Sequence, residues 1–265
     1  MKSVQSSDGT RIAYQQAGQG PPLILVHGTA DDHTIWTPLL PPLGQHFTVY
    51  AIDRRGRGES GDVKSTTYSI EREFEDIAAV VDSTAEPANL LGHSYGALCA
   101  VEAALRTDNL RKLILYEPPM LIQPGNSPVP PETVEAMDQM LAEGDKEGVM
   151  LTFAREIAQL PEEMITAFRA MPEWQTSVEM ADTIVREVHA VGSYVFEPER
   201  FRNLSIPTLL LEGSESPPYM QAATEAVSAA LPHSRLTVLS GQGHLAMITA
   251  PDLFMGELVK FLTEA

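Results

Sequence analysis

The chain has 265 residues, 43% of them hydrophobic and 20% charged, and its 18 Lys and Arg against 36 Asp and Glu leave a formal net charge of −18. That balance excludes a basic nucleic-acid platform, and the composition excludes disordered, collagen-like and coiled-coil classes. A chain of this size can bury about three-quarters of its unfolded surface, enough for one core or a core with a lid.

The first nine residues carry no apolar h-region, and no stretch reaches about 18 uninterrupted apolar residues, so a soluble, cytoplasmic protein with no membrane partner is expected. Two apolar runs follow, Arg11-Ile12-Ala13-Tyr14 and Pro22-Leu23-Ile24-Leu25-Val26. The second is continuous, as a strand buried on both faces should be. It ends in His27-Gly28-Thr29, where a sharp backbone turn would aim the Thr29 amide forward, with His27 packing the turn. Asp31, Asp32, His33 and Trp36 read as a solvated loop and helix start beside a pocket entrance. The run Phe47 to Ile52 precedes Asp53-Arg54-Arg55-Gly56-Arg57-Gly58-Glu59-Ser60, and a helical pattern covers 70–84.

Ala88-Asn89-Leu90-Leu91 leads directly into Gly92-His93-Ser94-Tyr95-Gly96, and a helical pattern over 94–106 follows. Glycine-x-serine-x-glycine between a strand and a helix is the context of a nucleophile elbow. The turn is too tight for side chains at Gly92 and Gly96, and it holds the serine oxygen at a helix N-terminus, where negative charge is favoured. Tyr95 and Thr29 would then supply the two amides of an oxyanion hole. Cys99, on the helix, is expected to be packed, and as the one cysteine it excludes an internal disulfide or a thiolate metal cluster.

After Lys112-Leu113-Ile114-Leu115-Tyr116 the rhythm breaks. A proline-rich stretch from Pro118 to Pro131 opens a series of amphipathic helices without a convincing strand, until Ser205-Ile206-Pro207 announces a return to the sheet. Thr208-Leu209-Leu210-Leu211, a helix over 219–231, Leu236-Thr237-Val238-Leu239 and a helix over 251–263 complete the chain. Alternating strands and helices predict an α/β class with a mostly parallel sheet. Residues 1–119 and 205–265 form the expected core, and 120–204 a helical cap over one sheet edge.

Among the seven histidines, His244 lies in a glycine-flanked loop, Ser240-Gly241-Gln242-Gly243-His244, between the last strand and the last helix, and is the candidate general base. His93, inside the elbow, is read as pointing away from the site.

With these elements in place the chain resembles the α/β-hydrolase superfamily over essentially its whole length. Asp53 to Ser60 is similar to that family's D-x-R-G-x-G-x-S loop, a scaffold feature. The resemblance implies Ser94 as nucleophile, His244 as base, no metal or organic cofactor, and an acid in a G-x-x-D pattern after the strand that follows the cap. Here that pattern reads Gly213-Ser214-Glu215-Ser216, so a serine stands where the aspartate is expected. Two carboxylates keep the order serine, acid, histidine. Glu215 lies one residue early on a longer side chain. Glu117 ends the strand Leu113–Tyr116 before Pro118-Pro119, a strand end that some relatives, including haloalkane dehalogenases, use for the acid. Glu117 is preferred and Glu215 stays open.

Seven of the eleven methionines fall between 120 and 200, with Phe153, Phe168, Trp174, Tyr194 and Phe196, so a hydrophobic small-molecule substrate is expected if they face inward, although core packing explains such spacing equally well. The same stretch holds 15 acidic and 5 basic residues, which makes the acidity largely a property of the insertion and disfavours polyanionic substrates. The expected activity is hydrolysis of an ester, thioester or lactone through an acyl-enzyme. Carbon–carbon bond hydrolysis or proton transfer on a natural-product or aromatic-degradation intermediate is the alternative within enzymes, a small-molecule receptor the alternative outside them, and homodimerisation is left open.

Overall fold

The computed structural model describes residues 1–62, 68–122 and 129–264; Pro124 and Pro128 of the proline-rich stretch lie outside the described residues. Eight strands form one sheet in the order β1-β2-β4-β3-β5-β6-β7-β8. They are β1 (Lys2–Gln5), β2 (Arg11–Ala17), β3 (Pro22–Val26), β4 (Thr48–Ile52), β5 (Ala88–His93), β6 (Leu110–Tyr116), β7 (Thr208–Gly213) and β8 (Ser234–Leu239). β1, which has no signature in the sequence beyond Val4 among polar neighbours, pairs antiparallel with β2, and β2 pairs antiparallel with β4. The remaining pairings are parallel.

Every residue of β3, β5 and β7 is buried, the pattern of strands covered on both faces. On one face, Leu23, Leu25, Leu91, Ile114, Leu209 and Leu211 share a core with Trp36, with α1 (Leu40–Leu43) and with Phe254, Leu258, Phe261 and Leu262 of the C-terminal helix. The alternate strand residues Ile24, Leu90, Leu113, Leu115 and Leu210 are equally buried. Trp36 is therefore a core residue, against the expected solvated loop: Asp32 caps a 3₁₀ turn, His33–Leu39, that folds the indole inward. Helix α2 (Ile70–Asp82) buries Ile70, Phe74, Ile77 and Val81 at helical spacing. Helix α3 (Tyr95–Ala103) has no polar face at all: each of its residues, Cys99 included, is buried, and small side chains let it lie close to the sheet.

Residues Met120–Phe196 separate as a second compact unit. It contains α4 (Pro131–Glu143), α5 (Lys146–Thr152), a π-helical turn (Phe153–Ile157), α6 (Glu162–Arg169), α7 (Trp174–Glu179) and α8 (Ala181–Ser193) around a core of Met137, Val149, Ile165, Val178 and Ile184. Its two ends meet where Leu121 bridges Val195 and the Phe196 amide donates to the Leu121 carbonyl at 3.3 Å. The sheet-bearing unit, Met1–Pro119 and Glu197–Ala265, resumes eight residues before the expected 205. The reason is long-range: the turn Pro198–Arg200 is tied to α3 by Arg200, whose guanidinium donates to both carboxylate oxygens of the fully buried Glu102 at 2.6 and 2.8 Å. Helices α9 (Pro218–Ala230), α10 (Ala246–Thr249) and α11 (Pro251–Thr263) complete the fold. Among the described residues no helix is long and apolar enough to cross a membrane.

Candidate active site

Because β3, β5, β6, β7 and β8 run parallel and adjacent, their carboxyl ends gather on one sheet edge, where ligands of open α/β sheets bind. That edge also collects backbone strain. Of four non-glycine residues with positive φ among those described, three lie there: Ala30 at 64°, Ser94 at 54° and Glu117 at 48°. Such conformations cost on the order of 1–3 kcal/mol each and persist where the surroundings enforce them.

Ser94 lies between β5 and α3, half-buried, with its amide donating to the Tyr116 carbonyl at 2.8 Å. The turn is closed by contact. A Cβ on Gly96 would lie 2.4 Å from the His27 carbonyl oxygen, and one on Gly92 2.4 Å from the Gly96 oxygen. The end of β3 touches the same turn, since a Cβ on Gly28 would meet the Ser94 Cβ at 3.0 Å. Thr29, half-buried, follows Gly28 directly, and Tyr95 opens α3, so that its N–H faces out of the helix end.

Glu117 and His244 come together. The Glu117 carboxyl is fully buried, and its two oxygens are both engaged: Oε1 accepts from the Gly213 amide at 2.6 Å and Oε2 meets His244 Nδ1 at 2.5 Å. A proton on Nδ1 leaves Nε2 as the lone-pair nitrogen of a neutral imidazole. Glu215 is not brought to His244. Its side chain is exposed, and its backbone amide alone meets the histidine loop, donating to the Gln242 carbonyl at 2.9 Å. Ser216, at the position expected for an aspartate, is buried with an unpartnered Oγ.

Two residues around His244 escaped the sequence reading. His93 does not turn away from this region: its ring lies 4.6 Å from that of His244, and its Nε2 donates to the His244 carbonyl at 2.9 Å. Burial, reinforced by His244, holds it well below the usual imidazole range, hence neutral. The Tyr116 hydroxyl donates to the Gly243 carbonyl and accepts from the Ala246 amide, at 3.1 Å, so it clamps the loop on either side of His244. Neither contact has a local sequence signal.

Asp31 is half-buried, and burial pushes its carboxyl up to about 7, with the Asp32 charge adding to the rise and Arg57, Arg54 and His244 opposing it. Asp32, His33 and Asp53 form a cluster of metal-ligand type, but their atoms already build the turn: Asp53 Oδ1 meets both the His33 amide and its Nδ1, and Asp32 caps Thr34. Arg55 is likewise committed to scaffold, forked onto Asp76 at 2.7 Å through both Nε and Nη2.

The sequence matches the alpha/beta hydrolase family over residues 23–257. Among solved structures, an alpha/beta hydrolase from Sphaerobacter thermophilus superimposes with a TM-score of 0.86 at 35% identity, covering 99% of this chain and 100% of that one. A pimeloyl-[acyl-carrier protein] methyl ester esterase of Aeromonas hydrophila is 26% identical over 95% of this chain and 99% of its own length. The (E)-2-((N-methylformamido)methylene)succinate hydrolase of Acinetobacter baylyi is 25% identical over 95% and 94%. Sheet order and whole-length matches agree, and the chain belongs to the alpha/beta hydrolase family as an enzyme of the hydrolase class.

Proposed function

We propose that this enzyme is a serine hydrolase that cleaves an ester, thioester or lactone of a hydrophobic small molecule through an acyl-enzyme on Ser94. The observation that carries the reading is the buried Glu117–His244 pair, which fixes the imidazole tautomer with Nε2 unprotonated, on a ring 4.6 Å from that of His93, the residue before the strained Ser94. Ser94 Oγ attacks the substrate carbonyl as Nε2 takes its proton. The resulting oxyanion is held by the Thr29 and Tyr95 amides at the α3 N-terminus. His244 then protonates the leaving oxygen or sulfur, and a water activated by the same nitrogen releases the acid. Glu117 stabilises the transient imidazolium through its contact with Nδ1. The esterase relative named above fits ester cleavage.

The test is labelling of the purified protein with a fluorophosphonate probe, read by mass spectrometry, alongside turnover of short-chain p-nitrophenyl esters by wild type and Ser94→Ala. One probe adduct on Ser94 and loss of turnover in the variant are expected. Tight binding of a lactone with no adduct and no turnover would instead make the chain a receptor.

A further inference from the structure

The loop after β4 buries three arginines, Arg54, Arg55 and Arg57, and the first two differ in what they hold. Arg55 is forked onto Asp76, within the scaffold. Arg54 is directed at the end of β3. Its Nε donates to the His27 carbonyl at 3.0 Å, its Nη2 to the Gly28 carbonyl at 2.9 Å, and its Nη1 to Glu73 of α2 at 2.9 Å, with the arginine and glutamate side chains each 1% exposed. The Arg54 backbone amide donates to His27 Nε2 at 3.1 Å, so the ring proton sits on Nδ1, which lies 2.9 Å from the same Gly28 carbonyl. Burial and the neighbouring Arg54 and Arg57 charges keep His27 neutral, as that tautomer requires.

The Gly28 oxygen thus accepts from two donors. In a planar trans peptide the carbonyl and the following N–H point in opposite directions. Fixing the Gly28 oxygen against the guanidinium therefore fixes the Thr29 N–H, aimed away from Arg54 and unable to swing about its own peptide axis. The same ion pair reaches the other amide-bearing residue. The Tyr68 hydroxyl donates to Glu73 Oε1 at 2.9 Å and lies 2.6 Å from the Tyr95 hydroxyl, while the guanidinium carbon stands 4.7 Å from the centre of the Tyr95 ring.

We infer that Arg54, backed by Glu73, is a positioning residue for the oxyanion hole: it orients the Gly28–Thr29 peptide so that the Thr29 amide is ready for the charge that develops on the substrate oxygen. The inference rests on the serine-hydrolase reading above. A buried ion pair of this kind contributes little net stability compared with apolar packing, which leaves orientation as what it adds. Lysine keeps the positive charge but replaces the planar fork with a point donor, so it cannot hold both carbonyls and Glu73 in one plane.

The experiment compares wild type, Arg54→Lys, Glu73→Gln and, as a scaffold control, Arg55→Lys, using p-nitrophenyl butyrate turnover and two matched inhibitors. One inhibitor is an aryl trifluoromethyl ketone, which forms an oxyanion on the serine; the other is the corresponding carbinol, which does not. Arg54→Lys is expected to lower kcat by about 10- to 100-fold with KM within about twofold, somewhat less than deleting an oxyanion donor outright. Ketone affinity falls by the same factor as kcat/KM, and carbinol affinity holds. Glu73→Gln, which keeps the side-chain shape, shifts both quantities the same way by a smaller factor and serves if Arg54→Lys does not fold. Equal weakening of ketone and carbinol, the same selective loss in Arg55→Lys, or kcat/KM within twofold of wild type in both Arg54→Lys and Glu73→Gln would each overturn the inference while wild type still acylates. Wild type that never acylates Ser94 would bring down the underlying reading and this inference with it.

Discussion

Replacing Glu117 by Gln is the sharpest test of how the site works. Glutamine has the same shape, and its amide oxygen can still accept from the Gly213 amide, which lies 2.6 Å from Oε1. With the oxygen so placed, the NH₂ group faces His244 Nδ1, where Oε2 stood at 2.5 Å. A donor opposite Nδ1 forces the ring proton to Nε2, and Nε2 can then no longer take the serine proton. Loss of the correct tautomer in a serine triad costs about 10⁴ in kcat, or about 5.4 kcal/mol of transition-state stabilisation, and the same order is expected here with KM little changed. Stability should move by only about 1–2 kcal/mol, because losing one charge-assisted hydrogen bond is offset by no longer burying a carboxylate. The assay is single-turnover acylation with a chromogenic ester, in parallel with Glu215→Gln, whose exposed side chain predicts activity within about twofold of wild type. A loss in Glu215→Gln that equals or exceeds the loss in Glu117→Gln would refute the reasoning, as would full activity in both.

Three further outcomes follow from the geometry. Ser94→Gly removes the penalty of φ 54° at a residue with a side chain, so it should abolish turnover yet raise the urea midpoint, by about 1 kcal/mol of stability; a lower midpoint would mean that the turn is not strained. Tyr116→Phe leaves the Gly243 carbonyl and the Ala246 amide without their hydroxyl partner, and should cost about 1–3 kcal/mol in denaturant unfolding and roughly tenfold in kcat as the His244 loop loosens. Asp31, raised in the folded state from 3.8 to about 7, holds its proton where the unfolded chain releases it, so its contribution to stability falls as pH rises from about 4 to about 7 and is flat above. The full displacement corresponds to about 4 kcal/mol, and because the residue keeps part of its surface in water about half of that is expected. Asp31→Asn should therefore stabilise the protein at pH 8 relative to pH 4.5, and parallel pH–stability curves for the two proteins would contradict this.

What the sequence made legible was local. The tight turn at Ser94 could be read because the strand, the glycines and the helix that build it are contiguous, and the loop at His244 because it sits between one strand and one helix. The partner of His244 lies 127 residues away, and no pattern within either segment distinguishes Glu117 from Glu215. Only the tertiary path of the loop after β8 does, since contacts from β5 and β6 draw it back across β7 to the end of β6. Arg54 was visible as a charge, but its use depends on Glu73, 19 residues on, and on a carbonyl 26 residues back. The end of the helical insertion was misplaced for the same reason. Ser205-Ile206-Pro207 marks where the next strand begins, whereas the chain rejoins the sheet-bearing unit at Glu197, where Arg200 is tied to Glu102, 98 residues before it. Trp36 was misjudged because acidic neighbours suggested solvent, although those carboxylates serve to cap and pin the turn that buries it.

The position of the proposed acid follows from how the histidine loop is held. That loop leaves β8, an edge strand, but it does not stay there. The Tyr116 hydroxyl of β6 grips it at Gly243 and Ala246, and His93 of β5 grips the His244 carbonyl. The loop is thus drawn back across β7, by about two strand spacings of roughly 4.8 Å each, toward the middle of the sheet. A carboxylate leaving the end of β6 then lies under the imidazole, and one leaving the turn after β7 points to solvent, as Glu215 does. Gly213 completes the arrangement. Its amide donates to Glu117, and a side chain there would strike the Gln242 oxygen at 2.5 Å, so the absence of a Cβ is what allows the loop to cross β7 closely enough to reach the acid. Ser216, left with a buried and unpartnered hydroxyl beside Gly213, is small enough to leave that crossing open. On this geometry the acid on β6 and the serine after β7 are two consequences of one loop path.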